Sequence, residues 1–187
     1  MFSLSFTLQT TRYLLRSPKE ADIPHIFSAT RYAGFNDGMP WEPPEKEENC
    51  YPSMKRSIAR WQAGTSYTFS IVKKGEDQLI GRIEIRKTDT SDIWSVGFWT
   101  HPSEQGQGLM SECLAEVLKF GFEELKAKEI EAAYATWNAA SEKVLHKNGM
   151  KFVRFIEKGF EKRGKWVAEN EVSLTLDTWK SLSQGPK

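Results

Sequence analysis

WSVGFWTHPSEQGQGLMSECLAEVL, from Trp94 to Leu118, is the stretch whose reading decides the fold. Trp94 to Thr100 is rich in β-formers and reads as a strand. His101 to Gln105 is a polar turn, and Gly106-Gln107-Gly108 follows it. Apolar residues then recur at Leu109, Cys113, Leu114, Val117 and Leu118, the spacing of one helical face. The order is strand, glycine turn, helix. The first N–H groups of a helix have no acceptor inside it. Glycines let a turn gather those donors without Cβ clashes, and the helix dipole adds partial positive charge at the same end. The product is a nest for a phosphate or diphosphate.

Two phosphate-binding patterns do not complete here. A P-loop needs Lys-Ser/Thr after its last glycine, and Gly108 is followed by Leu109-Met110. The dinucleotide fingerprint needs a third glycine where Ser111 stands.

Working outward, Thr68 to Lys73 and the alternating Leu79 to Arg86 read as strands about a hairpin turn at Gly75 to Gln78. With Trp94 to Thr100 they make a three-strand antiparallel meander that delivers the chain to the glycine turn. A helix running to about Lys128 and a strand from Ile130 to Ala135 then imply a right-handed parallel crossover. The turn would thus lie at the carboxyl end of a strand, where open α/β sheets bind ligands. Asn138 to Met150 reads as a short helix with Asn138 as its N-cap and Asn148-Gly149 as its stop. Two last strands, Phe152 to Lys158 and Trp166 to Leu176, flank the polar turn GFEKRG, and a short tail begins at Asp177.

Before the meander, Phe2, Leu4, Phe6 and Leu8 alternate with polar residues, which predicts an extra N-terminal strand within residues 1–11. Tyr13 to Ser17 reads as a strand and Glu20 onward as a helix start. Asn36 to Pro44, with a glycine and three prolines, must be an irregular loop. A second helix is expected from about Glu45 to Ala63, with Tyr51, Met54, Ile58 and Trp61 on one face. The expected architecture is α/β (α+β): a mixed, mostly antiparallel central sheet of about seven strands flanked by about four helices. Residues 1–187 form one domain, with 180–187 as a tail.

The 187 residues carry a net charge of +1, which excludes a global field for nucleic acid or membranes. No apolar run reaches transmembrane length and no signal peptide is visible. Cys50 and Cys113 are the two cysteines and the three histidines are scattered, so neither a metal site nor a disulfide framework is expected. A reduced, cytoplasmic protein is the simplest reading.

Ser103-Glu-Gln-Gly106-Gln107-Gly108 resembles the acetyl-CoA loop of the GNAT-type N-acetyltransferase superfamily, Gln/Arg-x-x-Gly-x-Gly/Ala, with Ser in the first position. Asn138-x-x-Ser141 and a helix ending in Gly149-Met150 resemble the next family feature, with Met for the usual aromatic. Gly97 to Pro102 and Gly164 to Trp179 resemble the strand that holds the acetyl carbonyl and the closing strand. Arg12-Tyr-Leu-Leu-Arg-Ser-Pro18 with the acidic helix start after it resembles the Rim group, which acetylates ribosomal-protein N-termini.

The resemblance implies acetyl-CoA as co-substrate, no metal, direct transfer to a primary amine, and a monomer or homodimer. A ribosomal-protein N-terminus is the expected acceptor; a polyamine, aminoglycoside or other small amine, or a non-catalytic CoA-binding regulator, are the alternatives. The implied cofactor-binding set is Trp99 and Thr100 as backbone oxyanion contacts, Gln105 to Met110 on the diphosphate, Asn138 on the pantetheine amides, and Lys147. Ser141 matches the family's proton donor to the sulfur; a helix-start hydroxyl satisfying a backbone N–H is the competing reading. For the base, Glu84 faces away from Ile83 and Ile85, with Glu157, Glu161 and Glu169 as rivals. Five acidic residues and one Lys from Asp37 to Glu48, with Trp41 and Glu42 among them, form the expected acceptor rim. The basic turn Lys158 to Lys165 is a solvated hairpin or a contact for RNA or for the adenosine phosphate.

Overall fold

The computed structural model describes residues 1–183. Its strands are β1 (Thr7–Gln9), β2 (Tyr13–Arg16), β3 (Ser66–Lys73), β4 (Leu79–Lys87), β5 (Ile93–Thr100), β6 (Glu129–Ala135), β7 (Lys151–Lys162) and β8 (Lys165–Thr175). The α-helices are α1 (Ile23–Ala29), α2 (Tyr51–Gln62), α3 (Leu109–Glu123), α4 (Ala139–Lys147) and α5 (Leu176–Ser183). One sheet runs in the order β1-β2-β3-β4-β5-β6-β8-β7, and every neighbouring pair is antiparallel except β5 and β6. The mixed, mostly antiparallel sheet is as expected, with eight strands and five α-helices among the described residues.

Alternation on β4 sets the two faces of the sheet. Ile83 and Ile85 are fully buried, with Leu114, Val117, Leu118 and Phe120 of α3 in the same core cluster. Arg82, Glu84 and Arg86 take the opposite face. The helix packs closely on the sheet at Gly121, where a Cβ would stand 2.6 Å from Ile130 Cδ1 and 2.8 Å from Ile85 Cδ1, so a larger residue would have to push both side-chain ends aside. Between α1 and α2, a smaller cluster gathers Ile23, Ile26, Cys50, Met54 and Leu79.

Four local readings are corrected. The alternation at Phe2 to Leu8 gives a strand only at Thr7–Gln9. A turn closed by the Phe6 amide on the Ser3 carbonyl puts Phe2 and Phe6 4.5 Å apart, both against Phe120, so their shared burial replaces strand pairing. Helix α3 stops at Glu123 rather than near Lys128, and Lys126 at φ +59 turns the chain toward β6. The last hairpin is tighter than the six-residue polar segment suggested. Strand pairing reaches Lys162 and Lys165, leaving Arg163-Gly164 as a two-residue turn with both φ positive. The tail from Asp177 is helical as far as Ser183, because Trp179 stacks on Phe122 at 5.2 Å; residues 184–187 of that tail lie outside the described residues.

Asp22, 1% exposed, ties β2 to β3 and α1. Its oxygens accept from both Nη atoms of Arg16, the Ser70 hydroxyl and the Lys19 amide. Burial pushes this carboxyl up, but the Arg16, Ser70 and Lys19 hydrogen bonds outweigh burial and hold it below its ordinary value. The stabilisation is therefore fully present above the unfolded carboxylate value of about 3.9 and is lost as pH falls through the lower folded value. Thermal melts from pH 7 down to pH 2 should show this loss. Asp22→Asn should melt lower at pH 7 and lose part of the acid dependence.

Candidate active site

The glycine turn is built as the spacing required. Gly106 and Gly108 sit at φ +78 and +74, and Gly108 is the N-cap of α3 with no side-chain cap. The first donors of a 15-residue helix are therefore left for a ligand. Ser103, at the position of the family's Gln or Arg, is turned away: its hydroxyl lies 2.8 Å from His101 Nδ1. Arg12, on the β1–β2 turn, reaches this place instead. It donates to the Gln107 carbonyl at 3.1 Å and pairs with Glu112 at 2.7 Å, so it braces the turn from outside. Its contact spans 95 residues, and no local pattern announces it.

Beside the turn the sheet opens. β5 and β6 pair only from Ile93–Ser95 with Glu129–Glu131, although β5 continues to Thr100 and β6 to Ala135. The separation leaves a slot whose β5 edge has no strand partner. The His101 amide donates to the Ile80 carbonyl of the neighbouring strand. By the alternation of an antiparallel ladder, Trp99 and Gly97 also turn their backbone groups to β4, while Phe98 and Thr100 turn theirs into the slot. Register thus gives the backbone donors expected of Trp99 and Thr100 to Phe98 and Thr100. The Trp99 ring faces the acceptor side, edge-on to Phe35 at 5.5 Å.

At the slot's mouth, Asn138 caps α4, its Oδ1 accepting from the Ser141 amide at 3.1 Å. That bond leaves the Asn138 amide group to point elsewhere. Asn138 is thus the capping side chain of α4, and Ser141 lines the cavity. Lys147 ends α4 on the same cavity. Met150, in the family's aromatic position, is wholly buried and completes the core.

Slot and glycine turn open into one cavity of about 1910 Å³. Its far side is a chamber walled by Glu84, Glu131, Glu169 and Glu171 on the sheet and by Arg56 and Arg60 of α2, and roofed by the 32–44 loop. Glu157 and Glu161 are exposed outside it. Glu84 is engaged by the Ser66 hydroxyl at 2.5 Å and by Arg86 at 3.4 Å. Burial first, then the charge of Glu171, pushes the Glu169 carboxyl up. Burial, then Glu171 and Glu129, does the same to Glu131 against the opposing Arg154 and Arg86.

The acidic rim and the basic hairpin meet each other, which the sequence did not suggest. Lys162, 7% exposed, donates to the Met39 and Trp41 carbonyls at 3.1 and 2.7 Å, and both it and Arg163 pair with Glu42. Glu42 is thus a strut of the roof, and its charge is largely matched there, while Trp41 remains 38% exposed at the cavity. Lys162→Met should loosen the roof: the acceptor KM rises by about fivefold, the scale of one lost hydrogen bond, with the acetyl-CoA KM unchanged. Steady-state kinetics in both substrates checks the split.

Cys113 is fully buried in α3, and burial pushes its thiol up to about 12, which removes it as an acyl carrier. Among the described residues no helix is long and apolar enough to cross a membrane, and no group of three or more His, Cys, Asp or Glu could hold a metal ion.

Residues 12–151 match the family described as acetyltransferase (GNAT) domain. The chain is 29% identical to the uncharacterized N-acetyltransferase YnaD of Bacillus subtilis, over 92% of this chain and 98% of that one. It is 25% identical to the [ribosomal protein uS5]-alanine N-acetyltransferase of Escherichia coli, over 75% of this chain and 76% of that one. The structure of RimL, a ribosomal L7/L12 α-N-protein acetyltransferase in complex with coenzyme A, superposes with a TM-score of 0.82 at 18% identity, over 92% of this chain and 99% of that one. With its uncapped glycine turn and splayed slot in place, the chain belongs to the GNAT acetyltransferase family, as an acetyl-CoA-dependent N-acetyltransferase.

Proposed function

We propose that the acceptor is the N-terminal amine of a protein, entering through the chamber under the 32–44 loop, and that Ser141 and Glu169 carry the proton transfers. Acetyl-CoA supplies an activated acyl group on a thiol leaving group. The chain's part is to hold and orient it: amides of the glycine turn on the diphosphate, Phe98 and Thr100 backbone donors along the slot, Ser141 Oγ at its mouth. The observation that carries this reading is Ser141. Asn138 supplies the cap of α4, and Ser141 lines the cavity that slot and chamber share.

An attacking amine must be neutral, so a group must take its proton. Glu169 suits this better than Glu84. Glu84 already accepts from Ser66 and Arg86, whereas burial raises the proton affinity of Glu169 in the chamber wall. A base works only when deprotonated, so kcat/KM should rise with pH through a value above the ordinary carboxylate range. Glu169→Gln should remove that limb and cost about 10²-fold, while Glu84→Gln keeps it. A pH–rate profile retaining the limb in Glu169→Gln would remove Glu169 from the chemistry.

The uS5-alanine acetyltransferase among the relatives supports a protein N-terminus. Thiol release from acetyl-CoA should be measured with short peptides bearing free or blocked N-termini, with polyamines and with aminoglycosides. Turnover dependent on a free peptide N-terminus is expected. Turnover with small amines alone would move the acceptor class, and cofactor binding without any turnover would make the protein a regulator.

A further inference from the structure

Arg82 is a charged group in the chamber that the proposed transfer does not use. It lies on β4 opposite Trp99, one strand from the slot, and its side chain lines the cavity. Its Nε and Nη2 are buried with no hydrogen-bond partner among the described residues. Beside it, Thr68, 5% exposed, has a hydroxyl in the same condition. A guanidinium carries five donors in a rigid fork, and burying one without an acceptor is costly.

The nearby carboxylates do not account for it. Asp22 is committed to Arg16, Ser70 and the Lys19 amide. Glu84 is committed to Ser66 and Arg86. Both carboxylates favour the Arg82 charge, but neither accepts a hydrogen bond from its Nε or Nη2. The opposite wall holds the surplus of negative charge, in Glu131, Glu169 and Glu171, of which Glu171 is bridged by Arg154. The chamber is therefore polarised, with an acidic side toward β6 and β8, while Arg82 on β4 and Arg56 and Arg60 of α2 supply its cations. An amine alone would answer only half of it.

We propose that the acceptor carries a carboxylate close to its reacting amine, and that Arg82, with the Thr68 hydroxyl, binds that carboxylate. A carboxylate would bring acceptor oxygens and negative charge to a guanidinium that lacks hydrogen-bond acceptors in the protein. Such a group has two sources. It is an Asp or Glu side chain next to the N-terminus of a peptide, or the α-carboxylate of a free amino acid. The inference rests on the transferase reading of the same site, and it narrows the acceptor.

The test uses matched pairs: peptides differing only by Asp against Asn or Glu against Gln at the second residue, and free amino acids against their amides. Kinetics and calorimetric binding to the CoA-loaded protein are measured for each. The acid of the recognised source should exceed its amide roughly ten- to hundredfold in kcat/KM, through KM. Arg82→Met should abolish that preference while leaving the amide substrate and coenzyme A binding unchanged, and Arg82→Lys should restore part of it. Because the acid–amide comparison is made on the wild-type protein, it stands even where a variant misfolds. Turnover without acid preference overturns this inference and leaves the transferase reading intact. Acid-selective binding without turnover supports the carboxylate site and overturns the transferase. Neither acid-selective binding nor turnover overturns both.

Discussion

Replacing Ser141 by alanine is expected to lower kcat by about 10²-fold, the usual worth of a positioned proton donor, with acetyl-CoA affinity unchanged. The geometry makes the split sharp. The Ser141 N–H that helps to start α4 donates to Asn138, and the substitution leaves that bond in place. What is lost is the hydroxyl of a residue that lines the cavity, proposed to answer the negative charge that grows on the departing sulfur. Single-turnover kinetics beside calorimetric titration separates the two quantities. Equal losses in kcat and in affinity would show a hydroxyl that merely holds the cofactor. Asn138→Ala should behave differently, since it uncaps the helix and leaves Ser141 poorly placed; that cap is worth about 1 kcal/mol.

The second large effect is on stability. Trp61→Ala should destabilise the fold by about 3–5 kcal/mol, from lost burial and the cavity left behind. Trp61 is 0% exposed, edge-on to Tyr67 and Phe69 at 5.2 and 4.9 Å. Its indole N–H donates to the carbonyls of Phe2 and Ser3, at 3.1 and 3.2 Å, and so pins the N-terminal segment across the core. Removing the ring takes the indole donor from the Phe2 carbonyl and opens a void, while the Ser3 carbonyl keeps the Phe6 amide. Urea unfolding should show the midpoint fall. Trp61→Phe keeps most of the volume but not the donor, and should lie between the two. Proteolysis within the first residues should accelerate in both variants if the indole is the pin.

Much of the site was legible because it is local. A glycine turn between a strand and a helix declares itself within a dozen residues, and Asn138 at N-cap spacing from Ser141 does so within four. The pieces that were misread are those in which a distant partner outweighs the local pattern. Alternation at Phe2 to Leu8 is a true strand signal, but Phe120 draws both phenylalanines onto one side. The segment after Asp177 has no pattern that demands a helix until Phe122 gives Trp179 something to stack on.

Most of the order of elements, the sheet's mixed character and the glycine turn were determined by the sequence alone, because periodicity, capping and glycine placement act over a few residues. Which charges remain free was decided only by the tertiary structure. Glu42 reads as a rim carboxylate until Lys162 and Arg163 arrive from about 120 residues away. Arg82 reads as one more strand cation until Asp22 and Glu84 are seen to be committed elsewhere. Charge is a property of residues, but its compensation is a property of neighbours, and the fold chooses the neighbours.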